Sequence, residues 1–146
     1  MELLARSLVT AVLRARRTLV RVVHTELEEA GFEDLPRTGV LYLSHLEDEP
    51  LSVGALAAAT DLPKQMVSQV VDTLVTRGYA RREPDALDRR RVIVSLTPRG
   101  RAAAAVAREA AAARVGALVE REGTARVRDA LEVLGALAEV AAEVAT

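Results

Sequence analysis

The sequence has no cysteine, which excludes disulfides, thiolate nucleophiles and thiol-based redox switching. It has no tryptophan, and aromatic residues make up 2% of the chain: Phe32, Tyr42 and Tyr79. A core must therefore be assembled from leucine, valine and alanine, and the half-apolar composition supplies enough of them. Long apolar runs are missing too. None reaches membrane-span length, and the first residues lack the pattern of a secretion signal. A soluble, cytoplasmic protein with no membrane partner is expected. His24 and His45, with scattered carboxylates, do not form a metal-ligand spacing, so neither a metal nor another cofactor is expected. There is no nucleophile elbow and no glycine-rich phosphate loop, so the chain is not expected to be an enzyme.

Charge is present in both signs but unevenly placed. The 146 residues carry a net charge of −1. Residues 64–101 hold nine basic side chains against four acidic ones, giving +5, and the remainder is −6. A basic centre in an acidic frame is a local footprint for a polyanion; an ordinary solvated arginine surface is the alternative on charge alone.

Periodicity divides the chain into elements. Residues 2–30 read as one long helix with a rough apolar stripe through Leu4, Leu8, Ala11, Ala15, Leu19, Val22 and Leu27, closed by Gly31. Leu35-Pro36 opens a second helix, with proline at its first position and Val40, Leu41, Leu43 and Leu46 as the buried face. Gly39 lies inside this helix and either admits a close packing partner or lines a cavity. Ser52 caps a short third helix from Val53 to about Ala59. Asp61-Leu62 forms a turn, and Pro63 starts a fourth helix that runs to about Arg77 and is closed by Gly78. The period then changes to two. Residues 79–83 and 91–97 read as strands around a seven-residue loop, the second with Val92, Val94 and Leu96 on one face and Arg91, Ile93 and Ser95 on the other. Thr97-Pro98 opens a fifth helix to about Arg121. Gly123 breaks it, and a sixth runs from about Thr124 to the end. Val127, Leu131, Leu134, Ala138 and Ala141 form a packing seam on that last helix.

This order predicts a mainly α fold with a small antiparallel β-hairpin. A lone hairpin is marginal and needs a helical surface to rest on. A short helix, a tight turn, a second helix and a basic hairpin make a winged helix-turn-helix.

The fourth helix separates by face. Val67, Val70, Val71, Leu74 and Val75 point to a core; Lys64, Gln65, Ser68, Gln69, Asp72 and Thr76 occupy the other side. The Gln65 and Gln69 amides suit an adenine edge, Ser68 can donate or accept, and Met66 suits a thymine methyl group. These residues lie in the first turns, the end that enters the major groove in helix-turn-helix proteins. Lys64 and the helix N-terminus suit phosphate. An amphipathic helix with a solvated polar face is the plainer alternative. The hairpin loop places Arg89 and Arg90 where a narrow minor groove attracts guanidinium groups, and Asp88 can hold a neighbouring arginine in position. Arg91 begins the strand and meets phosphate or solvent. A solvated turn with a local ion pair is the alternative here.

The stretch "DALDRRRVIVSLTPRG", with its Asp-x-Arg wing (Asp88, Arg90) and strand-then-Leu-Thr-x-x-Gly ending, resembles the multiple-antibiotic-resistance regulator (MarR) family of bacterial transcription factors. "VSQVVDTLVTRGYARRE" is similar to that family's recognition helix leading into the first wing strand. The resemblance implies one domain over 1–146, with the winged helix-turn-helix over 36–97 and dimerisation helices over 1–31 and 98–146. It implies a homodimer binding double-stranded DNA at an inverted repeat. Apolar seams on the terminal helices, which a chain this short can hardly cover alone, agree with that. It places Gln65, Met66, Ser68 and Gln69 at base-reading positions, Arg90 as the wing arginine, Asp88 as its positioning carboxylate and Arg89 as a neighbouring candidate. It also implies release of DNA by a small aromatic or phenolic acid, with Arg16, His24, Tyr42 and His45 as candidate contacts. The sequence departs from the family pattern at Gln65, where proline is common, at Met66, where threonine is common, at Leu87, where charge is frequent, and at Gly39, where a larger polar residue is usual. The competing function is a winged-helix protein-interaction module without an effector, which would not need Arg89, Arg90 or the glutamine-rich helix start.

Overall fold

The computed structural model describes residues 1–144. It contains α1 (Glu2–Glu29), α2 (Gly39–Asp48), α3 (Val53–Thr60), α4 (Lys64–Thr76), β1 (Ala80–Pro84), β2 (Val92–Leu96), α5 (Pro98–Glu122) and α6 (Thr124–Val144). The predicted end of the last helix at 145–146 and the side chain of Ala141 lie outside the described residues. Two compact units divide within α5, one spanning Met1–Ala110 and the other beginning at Ala111.

The first unit is the mainly helical, winged helix-turn-helix architecture that the element order predicts. Ser52 has extended backbone and its Oγ accepts from the Ala55 N–H at 3.1 Å, so α3 is capped as its sequence requires. Asp61 turns the chain with φ of 51°, a left-handed conformation that aspartate tolerates better than most side chains, and α4 follows two residues after Leu62. Pro63 precedes α4 rather than starting it, because its ψ of 132° is extended. At the other end of α4, Gly78 adopts φ of +75°. The Tyr79 N–H then donates to the Leu74 carbonyl at 2.8 Å and the Gly78 N–H to that of Val75 at 3.0 Å. This left-handed cap satisfies the last helical carbonyls and turns the chain into the wing.

Val67, Val71 and Leu74 bring the apolar face of α4 into the core, where they join Leu27, Tyr42, Leu43, Leu46, Leu56 and Tyr79. Val70 and Val75 pack partly buried against it. Two expectations for α2 differ from the structure. The helix begins at Gly39, not Pro36: the Gly39 N–H donates to the Pro36 carbonyl at 2.7 Å, forming a turn first. Leu41 is 46% exposed, because Tyr42, Leu43 and Leu46 take the inward face. Of the two expectations for Gly39, close packing is the one realised. A Cβ there would lie 3.0 Å from Leu74 Cδ2 and 3.1 Å from Pro36 Cγ.

The wing is an antiparallel pair with Ala80 opposite Leu96, Arg82 opposite Val94 and Pro84 opposite Val92. The alternation expected for β2 holds only in part. Val92, at the open end, is exposed, and Ser95 on the expected outer face is buried. Ser95 Oγ donates to Glu83 Oε1 at 2.6 Å and accepts from Arg81 Nε at 3.1 Å, so cross-strand side chains cover it. Leu51 adds a single antiparallel bridge to Val94 on the edge of β2 away from β1, with N–H···O distances of 3.1 and 2.8 Å.

The start of α5 is locked to the end of α4. Thr97 Oγ1 donates to the Gly78 carbonyl at 2.6 Å and accepts from the Gly100 N–H at 3.1 Å, while the Thr97 N–H donates to the Tyr79 carbonyl at 3.0 Å. Gly100, Ala103, Ala104, Ala107 and Ala110 form the buried face of α5, and their small side chains allow close approach. Along α1 only Val23, His24 and Leu27 are buried, so most of the predicted stripe on that helix is solvent-facing in one chain.

Candidate nucleic-acid interface

Helix geometry alone places the N-terminal polar residues of α4 on one surface. Lys64, Gln65, Met66 and Gln69 are exposed, Ser68 is half-buried, and Val67 beside them is fully buried. The reading candidates therefore project from a backbone held by the core. Lys64 has no ion-pair or hydrogen-bond partner among the described residues, and nothing in the fold competes for its charge.

The wing tip is fixed by its own polar groups. The Asp85 N–H donates to the Arg91 carbonyl at 2.9 Å, and the Arg91 N–H to the Asp88 carbonyl at 2.8 Å. Asp85 Oδ1 accepts from the Leu87 N–H at 2.9 Å, an Asx turn. Asp88 Oδ1 accepts twice from Arg90, from the backbone N–H at 3.1 Å and from Nε at 3.3 Å. The Arg90 side chain remains 92% exposed. One carboxylate thus orients the guanidinium without covering it. Arg89 is exposed and unpaired among the described residues, while Arg91 stands 4.0 Å from Asp85.

The basic footprint narrows once partners are assigned. Arg82 bonds Asp72 at 2.7 Å, joining β1 to α4, and Arg81 bonds Glu83 at 3.1 Å. Arg101 donates to the Leu96 carbonyl at 2.7 Å, and Arg77 and Arg99 are held by Asp34. Within 64–101, Lys64 at the start of α4 and Arg89 at the tip of the wing are unpaired among the described residues, and Arg90 and Arg91 pair only within the wing tip and stay exposed. Asp72 lies on the expected polar side of α4, and its pairing with Arg82 across ten residues has no local signal.

The four candidate ligand contacts do not share one environment. Arg16 is exposed on α1, His24 and Tyr42 are buried, and His45 is half-buried on α2. Burial raises the pKa of the Tyr42 hydroxyl, with a Thr60 hydrogen bond opposing the shift. His24 Nε2 is buried with no hydrogen-bond partner among the described residues, a costly arrangement that ordinarily calls for one. Among the described residues no group of three or more His, Asp or Glu stands close enough to hold a metal ion, and no helix is long and apolar enough to cross a membrane.

Residues 33–91 match the sequence model of the MarR family. Solved structures of similar fold cover most of the chain. FabT from Streptococcus pneumoniae, solved in complex with DNA, is 15% identical with a TM-score of 0.80, covering 96% of this chain and 99% of its own. A MarR transcriptional regulator from Methanosarcina mazei Go1 is 19% identical with a TM-score of 0.77, covering 95% and 99%. The transcriptional repressor CouR, bound to a 23-mer DNA duplex, is 25% identical with a TM-score of 0.73, covering 92% and 94%. No curated protein sequence matches the chain.

A titration prediction attaches to Tyr79, the last residue of the α4 cap. Its hydroxyl is pushed up to about 12, first by burial and then by the bond to Asp34. The fold favours the protonated phenol, so this stabilisation is complete below pH 10 and is lost as pH rises from 10 toward 12. The loss at pH 11 is about 1 kcal/mol. Urea unfolding at pH 9 and pH 11 is expected to show a smaller drop for Tyr79→Phe than for the parent protein. Equal drops in the two proteins would rule this out.

Proposed function

We propose that the protein is a dimeric transcriptional repressor that binds an inverted-repeat operator. Gln65, Met66, Ser68 and Gln69 read base edges in the major groove and Lys64 binds phosphate; Arg90, with Arg89, enters the adjacent minor groove, and Asp88 sets its direction. The observation that carries this reading is the exposed start of α4 together with a wing arginine that is oriented yet 92% exposed. An interaction module would need neither. DNA in the FabT and CouR complexes supports the choice of ligand. The reading requires no catalytic step and places the protein in the cytoplasm.

Unmatched apolar surface favours the homodimer. Leu3, Leu4, Val9 and Leu13 of α1 are more than half exposed, as are Leu131, Val133 and Val140 of α6. Apolar surface on this scale marks an association surface. We assign residues 1–31 and 98–146 to that role, with 36–97 as the DNA-binding part of one MarR-type domain. The orphaned His24 Nε2 favours a small aromatic or phenolic acid as effector, with Arg16, Tyr42 and His45 as further candidate contacts.

Selection from random DNA followed by affinity measurement across salt concentrations tests the reading. Two half-sites centred about one helical turn apart are expected, bound by a species of twice the chain mass in sedimentation. Log affinity should fall linearly with log salt, with a slope of about −0.9 per phosphate neutralised. Aromatic acids should raise the thermal midpoint and weaken operator binding. Absence of any enriched sequence, with binding no tighter than to bulk DNA, would favour the interaction module.

A further inference from the structure

Segments far apart in sequence converge on the end of α4 opposite its reading residues. Asp34, in the link between α1 and α2, accepts from the Tyr79 hydroxyl at 2.5 Å and from Arg99 Nη2 at 2.8 Å. Arg99 Nη1 donates to the Arg77 carbonyl at 2.7 Å, and its guanidinium lies 4.4 Å from the centre of the Tyr79 ring. Arg77 donates in turn to the Asp34 carbonyl. Phe32 closes the other side of Tyr79 with ring centres 6.2 Å apart. One residue, Asp34, therefore ties the α1–α2 link, the cap that ends α4 and leads into the wing, and the first turn of α5.

We infer that Asp34 is a positioning residue for DNA reading, holding the pitch of α4 from the end away from the groove. This rests on the proposed role of the α4 N-terminus. Arg99 and Asp34 are 42% and 46% exposed, and an ion pair so open to solvent contributes little to global stability. Its geometry has more consequence. Lys64–Thr76 spans roughly 18 Å at 1.5 Å per residue, so a tilt of about 5° at the clamp moves the first turn by roughly 1.6 Å. A binding constellation tolerates about 0.5 Å. Base-edge hydrogen bonds fail under that displacement, whereas the long, flexible Lys64 side chain keeps its phosphate. The Asp34 carboxyl is held below its ordinary range chiefly by the Tyr79 hydrogen bond, against desolvation by burial and with the Arg99 charge adding. It is therefore ionised at neutral pH.

Asp34→Asn and Tyr79→Phe test the inference, each removing one strand of the clamp at nearly constant volume. Affinity for the selected operator and for unrelated duplex DNA is measured with both variants, alongside salt slopes and folded fraction at the assay temperature. Operator affinity is expected to fall about tenfold, with unrelated-duplex affinity and salt slope unchanged in fully folded protein, and Asp34→Glu should recover most of the loss. An unchanged operator-to-bulk ratio in both variants overturns the inference. So does an equal loss on both DNAs, the signature of a folding defect. If the parent protein itself prefers no operator, the proposed function fails first, and that outcome is visible before any variant is compared.

Discussion

Gly100→Ala is expected to destabilise the protein by about 3 kcal/mol, at the upper end of overpacking costs. A Cβ at this position would lie 1.9 Å from the Tyr79 carbonyl oxygen, 2.9 Å from its carbon and 3.2 Å from Leu96 Cδ2. The nearest obstacles are backbone atoms, which no rotamer change can clear. Relief requires α5 to move away from Tyr79, and that movement stretches the Thr97 bonds to Gly78 and Tyr79 that dock the helix. Helix propensity opposes the loss, since alanine is favoured over glycine in a helix by about 1 kcal/mol, but a clash with main chain outweighs it. Gly54→Ala is the control, because a Cβ there meets only Ser52 Oγ at an ordinary 3.8 Å. Chemical denaturation should show a large midpoint drop for Gly100→Ala and almost none for Gly54→Ala. Similar midpoints for the two would mean that the docked geometry does not control stability. The glycine of the Leu-Thr-x-x-Gly stretch is thus required by space: the end of α4, the start of the wing and the start of α5 meet at the Tyr79 carbonyl.

What was legible in the sequence is local. Gly31, Ser52, Gly78 and Thr97 each mark a boundary through a bond made within a few residues, and all four occupy the boundaries expected. The two faces of α4 follow from a period of 3.6 and needed no tertiary information. Features that depend on distant partners were not legible. Tyr79 and Arg99 meet Asp34 across 45 and 65 positions, and Leu51 pairs with Val94 as a single bridge that leaves no periodic trace. The burial of Ser95 comes from Glu83 and Arg81 on the neighbouring strand. The stripe along α1 has a different origin: periodicity records that a face is apolar without saying what covers it, and within one chain most of that face is open. At the interface, the residue types of the α4 start and the wing were legible, but which arginines the fold engages was not. Arg82 and Arg99 are engaged by Asp72 and Asp34, distant in sequence, whereas Arg89 meets no such partner among the described residues.

Single substitutions at Arg90, Gln69 and Asp88 should separate charge from base reading. Arg90→Ala is expected to weaken operator binding by at least tenfold. If the guanidinium contacts the minor groove, the loss falls mainly on A·T-rich flanks, where the groove is narrow. The salt slope should become shallower by about one ion. Gln69→Ala should leave the slope unchanged and cost about 1–3 kcal/mol at one base-pair position, relaxing the preference there. Asp88→Asn supplies a test of sign. Counted as charge alone, removing a carboxylate from the wing should tighten binding to every DNA. The contacts of Asp88 Oδ1 with the Arg90 N–H and Nε argue for the opposite result on the operator, because an asparagine holds the guanidinium less firmly. Operator affinity is therefore expected to drop several-fold while affinity for unrelated duplex rises, measured by fluorescence anisotropy at two salt concentrations. A rise on both DNAs would mean that Asp88 only dilutes positive charge, and the orienting role would have to be abandoned.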